Sequence, residues 1–158
     1  MEKQQLENWI KAYLKDTDYE LVTLRISPQN DILVEVDRLA GVDVDFCAEL
    51  NRYLVEKIEG EQSELDYSLE VGSVNLTDPF KTKTQYMKNL GYEVEALVQV
   101  KGAWVKVRGQ LVSVDEETFS VDVEEKVAVE GKKRKETRIV TYTWRYDEPK
   151  YVKYNLKF

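Results

Sequence analysis

The apolar positions of this chain change rhythm about halfway along. Leu6, Trp9, Ile10, Tyr13 and Leu14 fall at i, i+3, i+4, i+7 and i+8, one stripe of an amphipathic helix that Asp16-Thr17-Asp18 ends. Tyr19 to Ser27 then reads as a strand, with Tyr19, Leu21, Thr23 and Arg25 opposed to Glu20, Val22, Leu24 and Ile26. Ser27-Pro28-Gln29-Asn30-Asp31 has turn chemistry, and Ile32, Val34 and Val36 share one face of a returning strand. Gly41 precedes a second helix, which Asp43 caps. Cys47, Leu50, Leu54 and Ile58 keep its helical spacing, Tyr53 widens the face, and Gly60 is expected to close it. Tyr67, Leu69 and Val71 alternate with Ser68 and Glu70 in a third strand. The α-β-β-α-β order predicts two helices against one face of a small sheet.

Past a boundary near Thr82–Leu90 the period of 2 takes over. Gln85 to Lys88 reads as a short helical turn ended by Gly91. Strands are expected over Val94–Val100, Trp104–Val114, Phe119–Val129, Thr137–Trp144 and Tyr151–Phe158. Five strands in so short a stretch suggest a small barrel. The expected fold is therefore α+β, with a KH-like or prodomain-like domain over residues 1–82. A small all-β SH3-like or Sm-like barrel follows over residues 83–158.

Composition narrows the chemistry. The 158 residues contain no histidine, which removes imidazole bases and most zinc arrangements. The lone Cys47 cannot form an internal disulfide and reads as a small buried thiol. No run approaches the roughly 18 apolar residues of a membrane span, and the first residues lead into an amphipathic helix, so a cytoplasmic protein is expected. The net charge is −7, yet it divides into −10 over residues 1–82 and +3 over 83–158. That asymmetry suggests two domains with different partners. There is no Gly-x-x-x-x-Gly-Lys or Gly-x-Gly-x-x-Gly phosphate loop. The Gly-x-x-Gly that clamps RNA in KH domains is missing as well.

Three constellations stand out. Gly72 to Lys81 follows the third strand with Gly72, Ser73 and Asn75 for tight or left-handed backbone and Pro79 at the exit. Lys132, Lys133, Arg134, Lys135 and Arg138 place five cations within seven positions, able to contact an RNA backbone without reading sequence. Tyr142 and Trp144 nearby alternate along a strand and read as core rather than stacking platforms. Asp16, Asp18, Glu20, Asp31, Asp37, Asp43 and Asp45 give the first half its acidity and read mostly as solvated surface. Neither the Asp16/Asp18 nor the Asp43/Asp45 pair continues into a metal-binding loop, so no metal or cofactor is expected.

The segment from Tyr67 to Lys81 resembles the signature of the RimP family of ribosome maturation factors, in which a strand runs into a Ser-Pro-Gly-Leu-Asp-Arg-Pro-Leu type of loop. Ser73, Leu76 and Pro79 stand at matching places, and Phe80 replaces the aliphatic residue. Val74-Asn75 and Thr77-Asp78 replace Pro-Gly and Asp-Arg. Gly41-Val42-Asp43, Tyr86-x-x-x-Leu90-Gly91-x-Glu93-Val94 and Gly109-Gln110-Leu111 extend the resemblance over nearly the whole chain. It implies a non-catalytic, monomeric, bacterial cytoplasmic factor that binds the immature small (30S) ribosomal subunit, its rRNA and a basic small-subunit protein. The binding residues it implies are Ser73, Asn75, Leu76, Pro79, Phe80 and Lys81. Two other readings remain open from the residues: a free-standing RNA-binding regulator with an Sm-like barrel, and a hydrolase built on Asp43 and Asp45. The second is disfavoured, because positions two apart on a helix point apart.

Overall fold

A computed structural model describes residues 1–131 and 133–156. They form two compact units, Met1–Asn75 and Leu76–Phe158. In the first, helix α1 (Lys3–Leu14) buries Leu6, Ile10 and Leu14, with Trp9 and Tyr13 half-buried beside them. It stops where Asp16 turns left-handed, at φ 68°, and Thr17 closes onto the Leu14 carbonyl through its hydroxyl at 2.6 Å. Strands β1 (Glu20–Ile26) and β2 (Asp31–Asp37) form the expected hairpin, with Asn30 left-handed in the turn and the Ser27 hydroxyl accepting from the Gln29 and Asp31 amides.

Two expectations fail locally. The register of β1 against β2 slips between Leu21 and Thr23, leaving Val22 as an extra residue. One extra residue reverses the phase of a strand, so Leu21 shares a face with Leu24 and Ile26 rather than with Thr23 and Arg25. Helix α2 (Val44–Glu61) runs through Gly60 and ends at Gln62, whose amide still bonds to the Ile58 carbonyl. Its start is as expected: the Asp43 carboxylate accepts from the Asp45 amide at 3.0 Å. Leu50, Leu54 and Ile58 are fully buried, and burial, with the Asp43 charge second, pushes the Cys47 thiol up.

Strand β3 (Ser68–Ser73) lies parallel to β2, giving the order β1-β2-β3. Gly72 sits inside this strand, not in the loop after it.

In the second unit, Thr82 and Gln85 form a reciprocal capping box on helix α3 (Lys83–Lys88). Gly91 follows with φ 86°. Strands β4 (Glu93–Val100), β5 (Ala103–Val114), β6 (Thr118–Val127) and β7 (Glu136–Arg145) form an antiparallel meander, and β8 (Tyr151–Tyr154) returns beside β4. The end of the fifth expected strand, Lys157 and Phe158, lies outside the described residues.

The expected closed barrel is not formed. The order is β7-β6-β5-β4-β8, and no β7–β8 pairing exists among the described residues. Closure requires those two strands to bond, but the four residues of β8 pair with β4 and the ten of β7 with β6. The core lies on one face: Val94, Ala96, Val98, Leu111, Val121 and Val152, with Phe119 packed against Tyr86, Trp144 and Tyr146. Trp144 is buried and stacks on Tyr142, as core residues do. Gly109 is required where β5 passes under β6. An added Cβ there would stand 2.2 Å from the Asp122 carbonyl oxygen.

Candidate nucleic-acid interface

The loop singled out by sequence is divided between the units. Ser73 ends β3 and is exposed, and Asn75 is exposed too. Neither Gly72 nor Asn75 takes the left-handed backbone that the loop chemistry offered. Leu76 is 62% exposed and begins a turn with Thr77, and Pro79 is also exposed. Phe80 behaves differently. Its amide donates to the Val152 carbonyl at 2.7 Å, and its ring meets Tyr86 edge-on at 5.0 Å, so it anchors the strand β8 side of the core. The Lys81 amide donates to Gln85 Oε1 at 2.7 Å, extending the cap of α3.

The basic run forms the tip between β6 and β7. Lys133, Arg134, Lys135 and Arg138 are exposed, while Lys132 lies outside the described residues. Carboxylates are interleaved with these cations. Arg138 stands opposite Glu125 in the ladder and 3.7 Å from the Glu136 carboxylate. No aromatic ring accompanies the tip's own residues, 130–138. Such a loop attracts phosphates but has nothing on which to stack a base.

The acidic residues of the first unit include several with structural duties. Asp43 caps α2, and Asp31 accepts from the Ser68 hydroxyl at 2.7 Å, tying β2 to β3. Asp18 meets Arg38 at 3.5 Å. Arg38 in turn lies 4.4 Å over the ring of Tyr19, which stacks on Phe46. Asp37 departs from the surface reading, since it is fully buried. Among the described residues no group of three or more carboxylates or thiols is placed to hold a metal, and no helix is long and apolar enough to cross a membrane.

One charged cluster escaped the reading of the sequence. Glu95, on β4, is 6% exposed and carries three partners. Arg108 donates to Oε1 from Nε at 3.0 Å, with Nη2 at 2.9 Å from the same oxygen. The Tyr151 hydroxyl donates to Oε2 at 2.9 Å, and Lys153 Nζ stands 3.7 Å from it. Burial pushes the Glu95 carboxyl up, but these hydrogen bonds and the Arg108 and Lys153 charges outweigh it and hold the group below its ordinary value. Burial and the bond to Glu95 raise the Tyr151 phenol correspondingly. Arg108 and Tyr151 lie 13 and 56 residues downstream of Glu95, and Lys153 beyond them, so no local motif marks the cluster.

Two units, one of two helices on a three-stranded sheet and one a five-stranded sheet with an exposed, charged face, make up the described chain. Residues 9–75 match the RimP N-terminal domain. A ribosome maturation factor RimP of Porphyromonas gingivalis is 34% identical over 135 residues, covering 85% of this chain and 86% of that protein. Those of Christiangramia forsetii and Flavobacterium psychrophilum are 30% and 28% identical over 106 and 120 residues, covering 67% and 76% of this chain and 65% and 72% of theirs. The chain belongs to the RimP family of ribosome maturation factors.

Proposed function

We propose that this protein binds the immature small ribosomal subunit in the bacterial cytoplasm and promotes its late assembly, acting as a monomer and without catalysis. The observation that carries this reading is the 34% identity to a ribosome maturation factor over 85% of the chain, which takes in both units. The charge division supports two kinds of contact. The acidic first domain, with Ser73, Asn75, Leu76, Pro79 and Lys81 leading from it, suits a basic small-subunit protein by complementarity. The second domain suits rRNA. Its strand order, with β8 beside β4 in an antiparallel meander, supports reading it as an opened relative of the SH3-like or Sm-like barrels. Preferential binding to the assembly intermediate shifts subunits toward a maturation-competent state.

Sucrose-gradient co-sedimentation tests this. The protein is expected to travel with small subunits from an assembly-stalled strain, less with mature subunits, and less at higher salt. Absence from both particles would overturn the reading and favour an RNA regulator that acts away from the ribosome. Replacing Lys132, Lys133, Arg134 and Lys135 by glutamate is expected to weaken subunit binding and flatten its salt dependence. An unchanged slope would remove the basic tip from the interface.

A further inference from the structure

Strand alternation leaves one face of the second unit's sheet uncovered by α3. The register identifies its members: Glu95, Leu97 and Gln99 of β4 stand opposite Arg108, Lys106 and Trp104 of β5. On the other side of β4, Lys153 and Tyr151 stand opposite Glu95 and Leu97. Side chains paired in this way share a face. Arg108, Lys106 and Trp104 are all exposed, Trp104 by 42%. Lys150 reaches over from the segment before β8, its amino group 4.5 Å from the centre of the Trp104 ring.

We propose that this face is a binding surface for single-stranded RNA, with Trp104 stacking on an unpaired base and Lys106, Lys150 and Lys153 contacting the flanking phosphates. The proposal deepens the reading above and rests on it for rRNA as the source of the strand; the surface itself is argued from geometry. A tryptophan partly exposed on a sheet face, with an ammonium beside it, has the two elements that hold single strands: an aromatic platform and cations along the backbone. Among the described residues, Lys106 and Lys150 have no carboxylate within ion-pair distance, so their charge is available to an anion.

Glu95 acts as a positioning residue. Buried beneath the cations, it fixes the Arg108 guanidinium and the Tyr151 ring from below, so the array needs little ordering when RNA binds. The face also has a polarity. At its far end a depression of about 460 Å³ is lined by Glu93, Asp122 and Glu124 together with Arg108. Three carboxylates against one guanidinium disfavour phosphate there, so the end near the β4–β5 turn, with Trp104, Lys106 and Lys150, is the part of the face suited to the strand. A duplex does not suit this surface, because its bases are already stacked on one another.

Fluorescence anisotropy with a labelled oligouridine of about 12 nucleotides, inside the usual site sizes of roughly 4–16, tests the surface directly. Trp104→Ala is expected to weaken binding about 5- to 100-fold, and Trp104→Phe to restore most of it. Lys106→Glu with Lys150→Glu is expected to lower the slope of log K against log salt by roughly 1.4, about 0.7 per lost phosphate contact. Duplex RNA of the same length is expected to bind weakly and without regard to Trp104. Wild-type oligouridine affinity in Trp104→Ala, with an unchanged salt slope in the lysine pair, would overturn the proposal.

Co-sedimentation of the same variants separates the two claims. Wild-type protein that binds precursor subunits while Trp104→Ala binds them equally well removes this face and leaves the maturation reading intact. Wild-type protein that ignores subunits while its oligouridine binding still requires Trp104 removes that reading and leaves the face.

Discussion

The two units solve the problem of a small core in opposite ways. The first lays two helices on one face of a three-stranded sheet; its buried residues are aliphatic but for Tyr19 and Cys47, and its ring contacts, among Tyr13, Tyr19, Phe46 and Tyr53, lie at the edge of that core. The second has, among the described residues, a single helix of six residues, and its interior relies more on rings: Phe119 touches Tyr86, Trp144 and Tyr146, and Phe80 closes on Tyr86. With so little helix to cover it, the second sheet leaves its other face in water, and that face can be decorated for binding. The contrast teaches that the economy of the second core and the availability of its outer face are one structural choice.

The comparison can be broken at several points. The largest expected effect is at the rings: Phe119→Ala should lower stability by about 3–5 kcal/mol, and Leu54→Ala by about 2–5 kcal/mol. Urea unfolding followed by circular dichroism measures both. Near-UV signal should fall more for Phe119→Ala, which removes a ring touching Tyr86, Trp144 and Tyr146, than for Leu54→Ala, which removes none. Gly109→Ala comes next, at about 1–3 kcal/mol or more, because the new methyl meets backbone that must move. A wild-type midpoint there would show that β6 yields freely.

Glu95→Gln sharpens the comparison through pH. The folded protein holds this carboxyl below the 4.5 of a free glutamate, so the stability it contributes is present above that value. It is lost as pH falls through the lowered value. Acid unfolding of the wild type should therefore steepen below about pH 4.5 relative to Glu95→Gln, in which that component is absent. Parallel acid curves would show that the cluster gives no net stability. Smallest is the helix cap: Asp43→Ala should cost about 1 kcal/mol in the first unit, read from the same urea midpoint.

Local signals were legible and distant ones were not. The stripe of α1, the cap at Asp43 and the turn at Ser27–Asp31 are written in neighbouring residues, and all three are present. The extra residue at Val22 is invisible because Leu21, Val22, Thr23 and Leu24 each suit a strand in either phase. Gly60 weakens a helix but does not end one that still buries Ile58. Barrel closure depends on whether β7 meets β8, which no window of sequence contains. Phe80 matched a binding loop by position, yet its ring and amide face the core. Trp104, Lys106 and Arg108 alternate plainly in sequence, but only the register with β4 and β8 shows that they share their face with Glu95. The central loop and the basic tip were found as chemistry; their roles rest on kinship and on the experiments above.

The place of β8 has a consequence for synthesis. β4 to β7 are joined as successive hairpins, whose contacts are short-range and form quickly. β8 must instead travel back past three strands to β4, and the Tyr151–Glu95 bond spans 56 residues. A nascent chain can therefore complete its meander while Glu95 still lacks Tyr151 and Lys153. Lys150, Tyr151 and Lys153 join Lys106 and Arg108 on the sheet's outer face only after the β8 segment has been made and has docked beside β4.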